Sequence, residues 1–260
     1  MPVDQLGDFT LSLALTLPRI AASFLILPLM TQENVPALVR NAFFVSLALI
    51  AYPIAAAAAP VGALGQAAWP FIVVKEIFLG LVLGFAFGAV FWAVGSAGGI
   101  IDTQIGANFA NTLDPVQGHQ TSLTGALLSQ VATWLFMASG AFLVFLELLL
   151  SSYQLWPVGS FTPTLKPAGA LYFVAEFRYL MSAAILFAAP ALVIMTLVDI
   201  SFGLINRYAQ QLNVFSLTMP IKAWVSQWLT LLSLGLIMEL VLRKMFENKG
   251  LLALLDRLLR

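Results

Sequence analysis

The sequence predicts an all-α integral membrane protein of about six long, partly kinked hydrophobic helices paired as hairpins. Apolar residues make up 61% of the 260-residue chain and charged residues 9%, with a mean hydropathy of +0.96. A soluble domain carries about 25% charged residues. Six apolar runs, at approximately 9–30, 38–59, 70–101, 124–150, 180–205 and 221–243, each reach the roughly 20 residues needed to cross the hydrocarbon core. Pro18, Pro53 and Pro190 fall inside these runs and predict kinks.

The first run carries Pro18-Arg19 at its centre, and Pro28 bends or ends it. Proline at 18 frees the carbonyl of Ala14. A central arginine costs about 2.5–3.5 kcal/mol on insertion scales, so Arg19 is expected to be buried against an acceptor rather than snorkelling. No Lys or Arg precedes it, so the run is expected to be retained rather than cleaved as a signal. After the polar link 31–40, the second run passes Pro53 and frays into a small-residue loop with Gly62 and Gly65.

The third run opens with Lys75-Glu76 and sets Gly80, Gly84 and Gly88 at four-residue spacing. Those glycines form one smooth face for close packing against a neighbour, although glycine is common in any membrane helix. The run is too long for one upright helix and is expected to tilt, kink at Gly98-Gly99 or leave the bilayer. It leads into Gly99–Thr124, a polar, turn-rich stretch with Asp102, Gln104, Asn108, Asn111, Asp114, Gln117 and the lone histidine, His119, expected in water. Such backbone in a membrane protein must face water or be buried in protein. An ordinary connecting loop is the plainer reading, yet loops of this length are uncommon and often functional.

The fourth run ends near Glu147. The stretch Ser151–Arg178, with Tyr153, Trp156, Phe161, Tyr172 and Phe173, reads as an interfacial connector. The fifth run holds Asp199 and ends at Asn206-Arg207. Pro220 suits the first turn of the last long helix. Leu251, Leu252, Leu254, Leu255, Leu258 and Leu259 in the tail, with Arg257 and Arg260 opposite, suggest a short amphipathic helix. Six spans put both ends on one side. The cationic tail argues for inside and the acidic N-terminal arm weakly for outside, so topology stays open between a different span count and runs that do not cross.

Seven charges lie in or beside apolar runs: Arg19, Lys75, Glu76, Asp102, Glu147, Asp199 and Glu239. Facing lipid they would cost about 20 kcal/mol, more than a domain's typical stability of about 5–15 kcal/mol. Asp102, Glu147 and Glu239 sit near span ends, where the interface can solvate them. Arg19, Lys75, Glu76 and Asp199 need partners, within the chain or in neighbouring subunits. Twelve cations balance twelve carboxylates, so no basic surface points to nucleic acid. Without cysteine and with one histidine, thiolate and multi-histidine metal sites are excluded. No phosphate loop, dinucleotide fingerprint or nucleophile elbow is present, so neither a cofactor nor catalysis is expected.

Four stretches carry a family resemblance: LTLPRIAASFLILPL (15–29), KEIFLGLVLGFAFG (75–88), GGIIDTQIGANFANTLDP (98–115) and NRYAQQLNVFSLTMPIK (206–222). The chain resembles the T family of type III secretion export-apparatus proteins, homologous to the flagellar export protein FliR. The resemblance implies a single membrane domain over 1–260, with about 1–170 similar to a larger export subunit and about 171–260 similar to the helical hairpin and tail of a smaller one. It implies a place in a helical hetero-oligomeric gate in the bacterial inner membrane, within the secretion basal body and partly raised into the periplasm. The implied partners are the R-type and S-type subunits, the U-type switch protein, unfolded secreted proteins and membrane lipid.

Residue roles follow from the same resemblance. The stretch Gly106–Gln120 matches the family's channel plug, with Gly106, Asn108, Phe109, Asn111, Leu113, Asp114, Pro115 and Gly118 as gate candidates. Gly80, Gly84 and Gly88 would pack on the next subunit, and Arg19, Lys75, Glu76 and Asp199 would be buried or pair between subunits. Arg207, Gln210, Gln211, Asn213, Pro220 and Lys222 would form a tip facing the cytoplasm. The overall pattern favours the virulence-type over the flagellar system. The rival reading is a secondary transporter binding a solute through Asp102, Gln104 and Asn108. A rigid scaffold without a gate is a third.

Overall fold

The computed structural model describes residues 3–30, 35–58, 69–106, 122–160 and 167–250, apart from 210 and 212. Seven α-helices account for most of them: α1 Val3–Ile26, α2 Ala37–Ala58, α3 Trp69–Ile105, α4 Leu123–Ala138, α5 Ala141–Leu155, α6 Pro167–Tyr208 and α7 Val214–Glu247. A 3₁₀ turn, Asn248–Gly250, follows. No strand occurs among the described residues. Five helices are long and apolar enough to cross a membrane, and the bent α4–α5 pair makes a sixth if counted as one span. The chain is an all-α membrane protein. Gly62, Gly65, His119 and the tail 251–260 lie outside the described residues.

Three elements differ from the expected pattern. The fourth run is broken: α4 and α5 meet at 71°. Gly140 takes a left-handed φ of 81° there, and its carbonyl accepts from the N–H groups of Leu143 and Val144, restarting a helix in a new direction. The stretch read as an interfacial connector is helical from Pro167 onward, because proline suits a first helical position. The last helix starts at Val214, six residues before Pro220, because Asn213 caps it: Asn213 Oδ1 accepts from the Ser216 N–H at 3.4 Å.

α3 and α6, with 37 and 42 residues, are about 55 and 63 Å long at 1.5 Å per residue. Even a 40° tilt uses only about 39 Å to cross 30 Å of hydrocarbon, so both helices extend beyond it.

The chain forms two compact units, and α3, α4, α6 and α7 contribute to both. The first comprises residues 1–89, 136–176 and 244–260. Its core is aromatic: the Phe24 ring lies 5.3–5.6 Å from those of Phe43, Phe44 and Phe145, and Phe87 lies 5.3 Å from Phe145. All but the tilted Phe24–Phe44 pair meet edge-on, which adds to the burial of the rings. The second comprises 90–135 and 177–243. There α3 and α4 cross where Gly98 meets Gly125, and a Cβ on Gly125 would lie 2.7 Å from the Gly95 carbonyl oxygen. Only glycine lets two backbones approach so closely.

Candidate functional site

In the first unit, α1 and α3 are held together by glycine and charge. A Cβ on Gly84 would fall 2.5 Å from the Ser23 carbonyl oxygen, and one on Gly88 2.6 Å from the Ile26 side chain; at Gly80 the obstruction is the Arg19 carbonyl. The contacts rise in register from 19 to 26 as the glycines rise from 80 to 88, so the two helices run parallel. The glycine face expected to receive a neighbouring subunit is therefore filled by α1 of the same chain. The reason is geometric: small residues at Ala22 and Ser23 let the α1 backbone lie flush against those glycines.

This approach carries Arg19 into the interior beside Glu76. Arg19 Nε donates to Glu76 Oε2 at 2.6 Å and Nη2 to Oε1 at 2.9 Å, a two-pronged pair with both side chains 0% exposed. Two of the three remaining donors are also used. Nη1 reaches Ser152 Oγ at 2.9 Å and Nη2 the Trp156 carbonyl at 2.8 Å. The guanidinium lies 4.2 Å from the centre of the Tyr153 ring, whose hydroxyl donates to the Thr16 carbonyl. Lys75, beside Glu76, is 3.0 Å from its Oε1 and donates to the carbonyls of Pro157, Val158 and Ser160 at 2.9–3.0 Å. A buried charge is tolerable when it is paired and hydrogen-bonded, and four of the five guanidinium N–H donors are met here.

Tyr153 and Trp156, expected at the membrane interface, are buried because this cluster needs an aromatic face and a carbonyl at the end of α5. Ser152 gave no signal in the sequence; a serine inside an apolar helix is ordinary until a guanidinium is found beside it. A second ion pair was equally silent: Lys244 Nζ on α7 lies 2.8 Å from Glu176 Oε1 on α6.

In the second unit the C-terminal end of α3 is the polar focus. Asp102 was expected to be solvated at an interface, but it is 7% exposed. Its Oδ2 accepts from the Ser122 hydroxyl at 2.6 Å and the Thr124 N–H at 3.0 Å, and its Oδ1 from the Thr124 hydroxyl at 2.5 Å. It thereby caps the first turn of α4, where free N–H groups favour an anion. Gln227 on α7 donates to the same Thr124 hydroxyl at 3.0 Å. One turn along, Lys222 donates to the Gln104 carbonyl at 2.8 Å and lies 3.0 Å from Asp199, which also accepts from Gln104 Nε2. Lys222 lies at the C-terminal end of α3 rather than at a tip, because the early start of α7 carries it into the helix.

Asp102 therefore ties together the two ends of the segment 107–121. Gly106, at φ 94°, ends α3; its N–H is shared between the Asp102 and Thr103 carbonyls. Asn108, Phe109, Asn111, Leu113, Asp114, Pro115 and Gly118, the other gate candidates, lie outside the described residues, as does Gln210. Arg207, Gln211 and Asn213 are exposed where α6 gives way to α7, and Pro220 is exposed on α7. Glu147 and Glu239 are exposed as expected. No group of three or more metal-ligating side chains occurs among the described residues.

Comparison with known proteins gives a consistent picture. The profile of the family described as bacterial export proteins, family 1, matches residues 10–248. The chain is 40% identical over 230 residues to Yop proteins translocation protein T of Yersinia pestis, covering 88% of each chain. It is 35% identical over 222 residues to secretion system apparatus protein SsaT of Salmonella typhimurium, covering 85% of each. Flagellar biosynthetic protein FliR of Bacillus subtilis is 30% identical over 246 residues, 94% of each.

Proposed function

The chain belongs to the bacterial export proteins, family 1, and from that premise we propose that it is a core, non-enzymatic subunit of a type III protein export gate. In this reading it helps form and close the protein-conducting channel of the inner-membrane basal body, in part raised toward the periplasm. R-type and S-type subunits and a U-type switch protein surround it, and unfolded secreted proteins pass along it. The residues at Arg207, Gln211 and Asn213 face the cytoplasm. Identities of 40% and 35% to secretion proteins, against 30% to a flagellar one, favour the secretion-type system.

One structural observation supports a gating role for the segment from Gly106 to Gln120: its base is closed by the Asp102 carboxylate on Ser122 and Thr124. The same geometry weakens the transporter reading. Both Asp102 oxygens and the Gln104 side-chain amide, on which that reading leaned, are engaged within the chain.

The test is native mass spectrometry of the full chain co-expressed with its neighbouring membrane subunits, followed by conductance of the assembly in planar bilayers. A hetero-oligomer with one copy of this chain is expected, and deletion of 107–120 should raise ion leakage while assembly persists. A self-sufficient monomer or homodimer would overturn the export-gate reading. Unchanged conductance in an intact assembly would overturn only the gating role.

A further inference from the structure

The first unit carries an open groove that neither the charge cluster nor the segment 107–121 uses. It has a volume of about 490 Å³, within the range of roughly 300–1,000 Å³ usual for ligand sites. Its walls are apolar: Pro18, Ala21 and Leu25 on α1, Phe44 on α2, and Val73 and Ile77 on α3. Leu25 is 81% exposed. Among the described lining residues Arg40 is the one cation, with Asn41 beside it, and none is a carboxylate.

The position of that cation is informative. Arg40 lies in the first turn of α2, where the membrane-spanning stretch Ala37–Ala55 begins, and it reaches back to the Met30 carbonyl just beyond the end of the span Phe9–Ile26. It therefore sits at the end of both apolar stretches, where a bilayer around them would place its headgroups. The α1 wall runs from Leu25 back to Pro18, about 10 Å at 1.5 Å per residue, toward the middle of the bilayer. Of the five guanidinium N–H donors, the Met30 carbonyl occupies one, at 3.3 Å, and among the described residues no carboxylate pairs with Arg40. The positive end of the α2 dipole adds to its field.

We propose that this groove holds one anionic phospholipid, its phosphate on the Arg40 guanidinium and an acyl chain along Leu25, Ala21 and Pro18. A planar guanidinium grips a phosphate through paired hydrogen bonds, and a headgroup without a choline cation adds a long-range attraction that a zwitterionic one largely cancels. An apolar groove needs a cover both in the bilayer and where the chain rises out of it, so a retained lipid serves either setting. A second groove, of about 560 Å³ in the other unit, between Leu186, Pro190 and Val193 on α6 and Leu229, Leu236 and Leu240 on α7, has no charged residue among its described lining and supplies an internal control.

The experiment is native mass spectrometry of the full-length chain in mild detergent after equilibration with equal amounts of dioleoyl phosphatidylglycerol and dioleoyl phosphatidylcholine. The unchanged chain should retain phosphatidylglycerol at least fivefold over phosphatidylcholine. Arg40→Gln should abolish that preference, Arg40→Lys should keep part of it, and Ala21→Trp should lower retention of both lipids. Val193→Trp, in the uncharged groove, should leave the preference intact. Equal retention by the unchanged chain, or a preference that survives Arg40→Gln in a variant with unchanged helix content, overturns the proposal. So does a photo-crosslinker at Leu25 that captures a subunit of the assembled apparatus and no lipid. Lipid retention is read independently of export, so its failure leaves the proposed function standing.

Discussion

Arg19 on α1 and Glu76 on α3 form a two-pronged ion pair, at 2.6 and 2.9 Å, with neither side chain exposed. They are 57 residues apart in sequence. The pair sits at the start of the glycine contact between the same two helices, so charge and close packing support one another: the glycines bring the backbones together, and the pair sets their register.

Removing one partner of a buried pair leaves the other charge uncompensated, at a cost of about 3–5 kcal/mol. Glu76→Gln and Arg19→Met should each lower stability of the purified chain by that order, read by denaturant unfolding in detergent. The double variant should fall short of the sum, with a coupling of about 0.5–3 kcal/mol. Additive losses would mean that the pair is not a unit.

The Lys222–Asp199 pair should behave differently. Its side chains are 12% and 38% exposed, and exposed pairs contribute about 0.2–1 kcal/mol. The same double-mutant cycle on Lys222→Met and Asp199→Asn should give a coupling below about 1 kcal/mol. A coupling as large as that of Arg19 and Glu76 would show that the second pair is shielded from solvent.

Glycines in α3 divide into two kinds. A methyl group on Gly84 meets the Ser23 carbonyl, whereas one on Gly99 meets nothing within 4 Å. Gly84→Ala should destabilise by about 1–3 kcal/mol through overpacking. Gly99→Ala should be neutral or stabilise by up to about 1 kcal/mol, since alanine favours a helix. Thermal unfolding of the two variants side by side decides it; equal effects would refute the α1–α3 contact.

The cap that Asp102 makes on α4 has a local signature. Asp102→Ala removes an acceptor from the Thr124 N–H and from two hydroxyls. Hydrogen exchange at the amides of Thr124 and Gly125 should speed up by roughly tenfold or more, given about 1.5–3 kcal/mol for a hydrogen bond to a charged group. The amides of α1 should be unaffected. Unchanged exchange in the first turn of α4 would exclude the cap.

Much of this molecule was legible in the sequence. Apolar runs of about 20 residues or more with few charges leave little choice but membrane helices, and the four quoted stretches identified the family that the comparisons then showed. The need of Arg19 for an acceptor also followed from composition, because an isolated central charge is too costly. The identity of that acceptor did not. Glu76 was one of several carboxylates, and Ser152, Tyr153 and the Trp156 carbonyl joined it only through the fold. Hydropathy reports how much of a segment is apolar, and is blind to direction. It therefore joined α4 and α5 across Gly140, whose left-handed φ turns the chain without a polar break. Periodicity likewise marked a smooth face on Gly80, Gly84 and Gly88 but not which backbone fills it, since glycine has no side chain whose chemistry could name a partner. Sequence determined which groups are too costly to leave alone. Only the tertiary structure decided their partners, because complementarity in a folded chain is a property of positions in space.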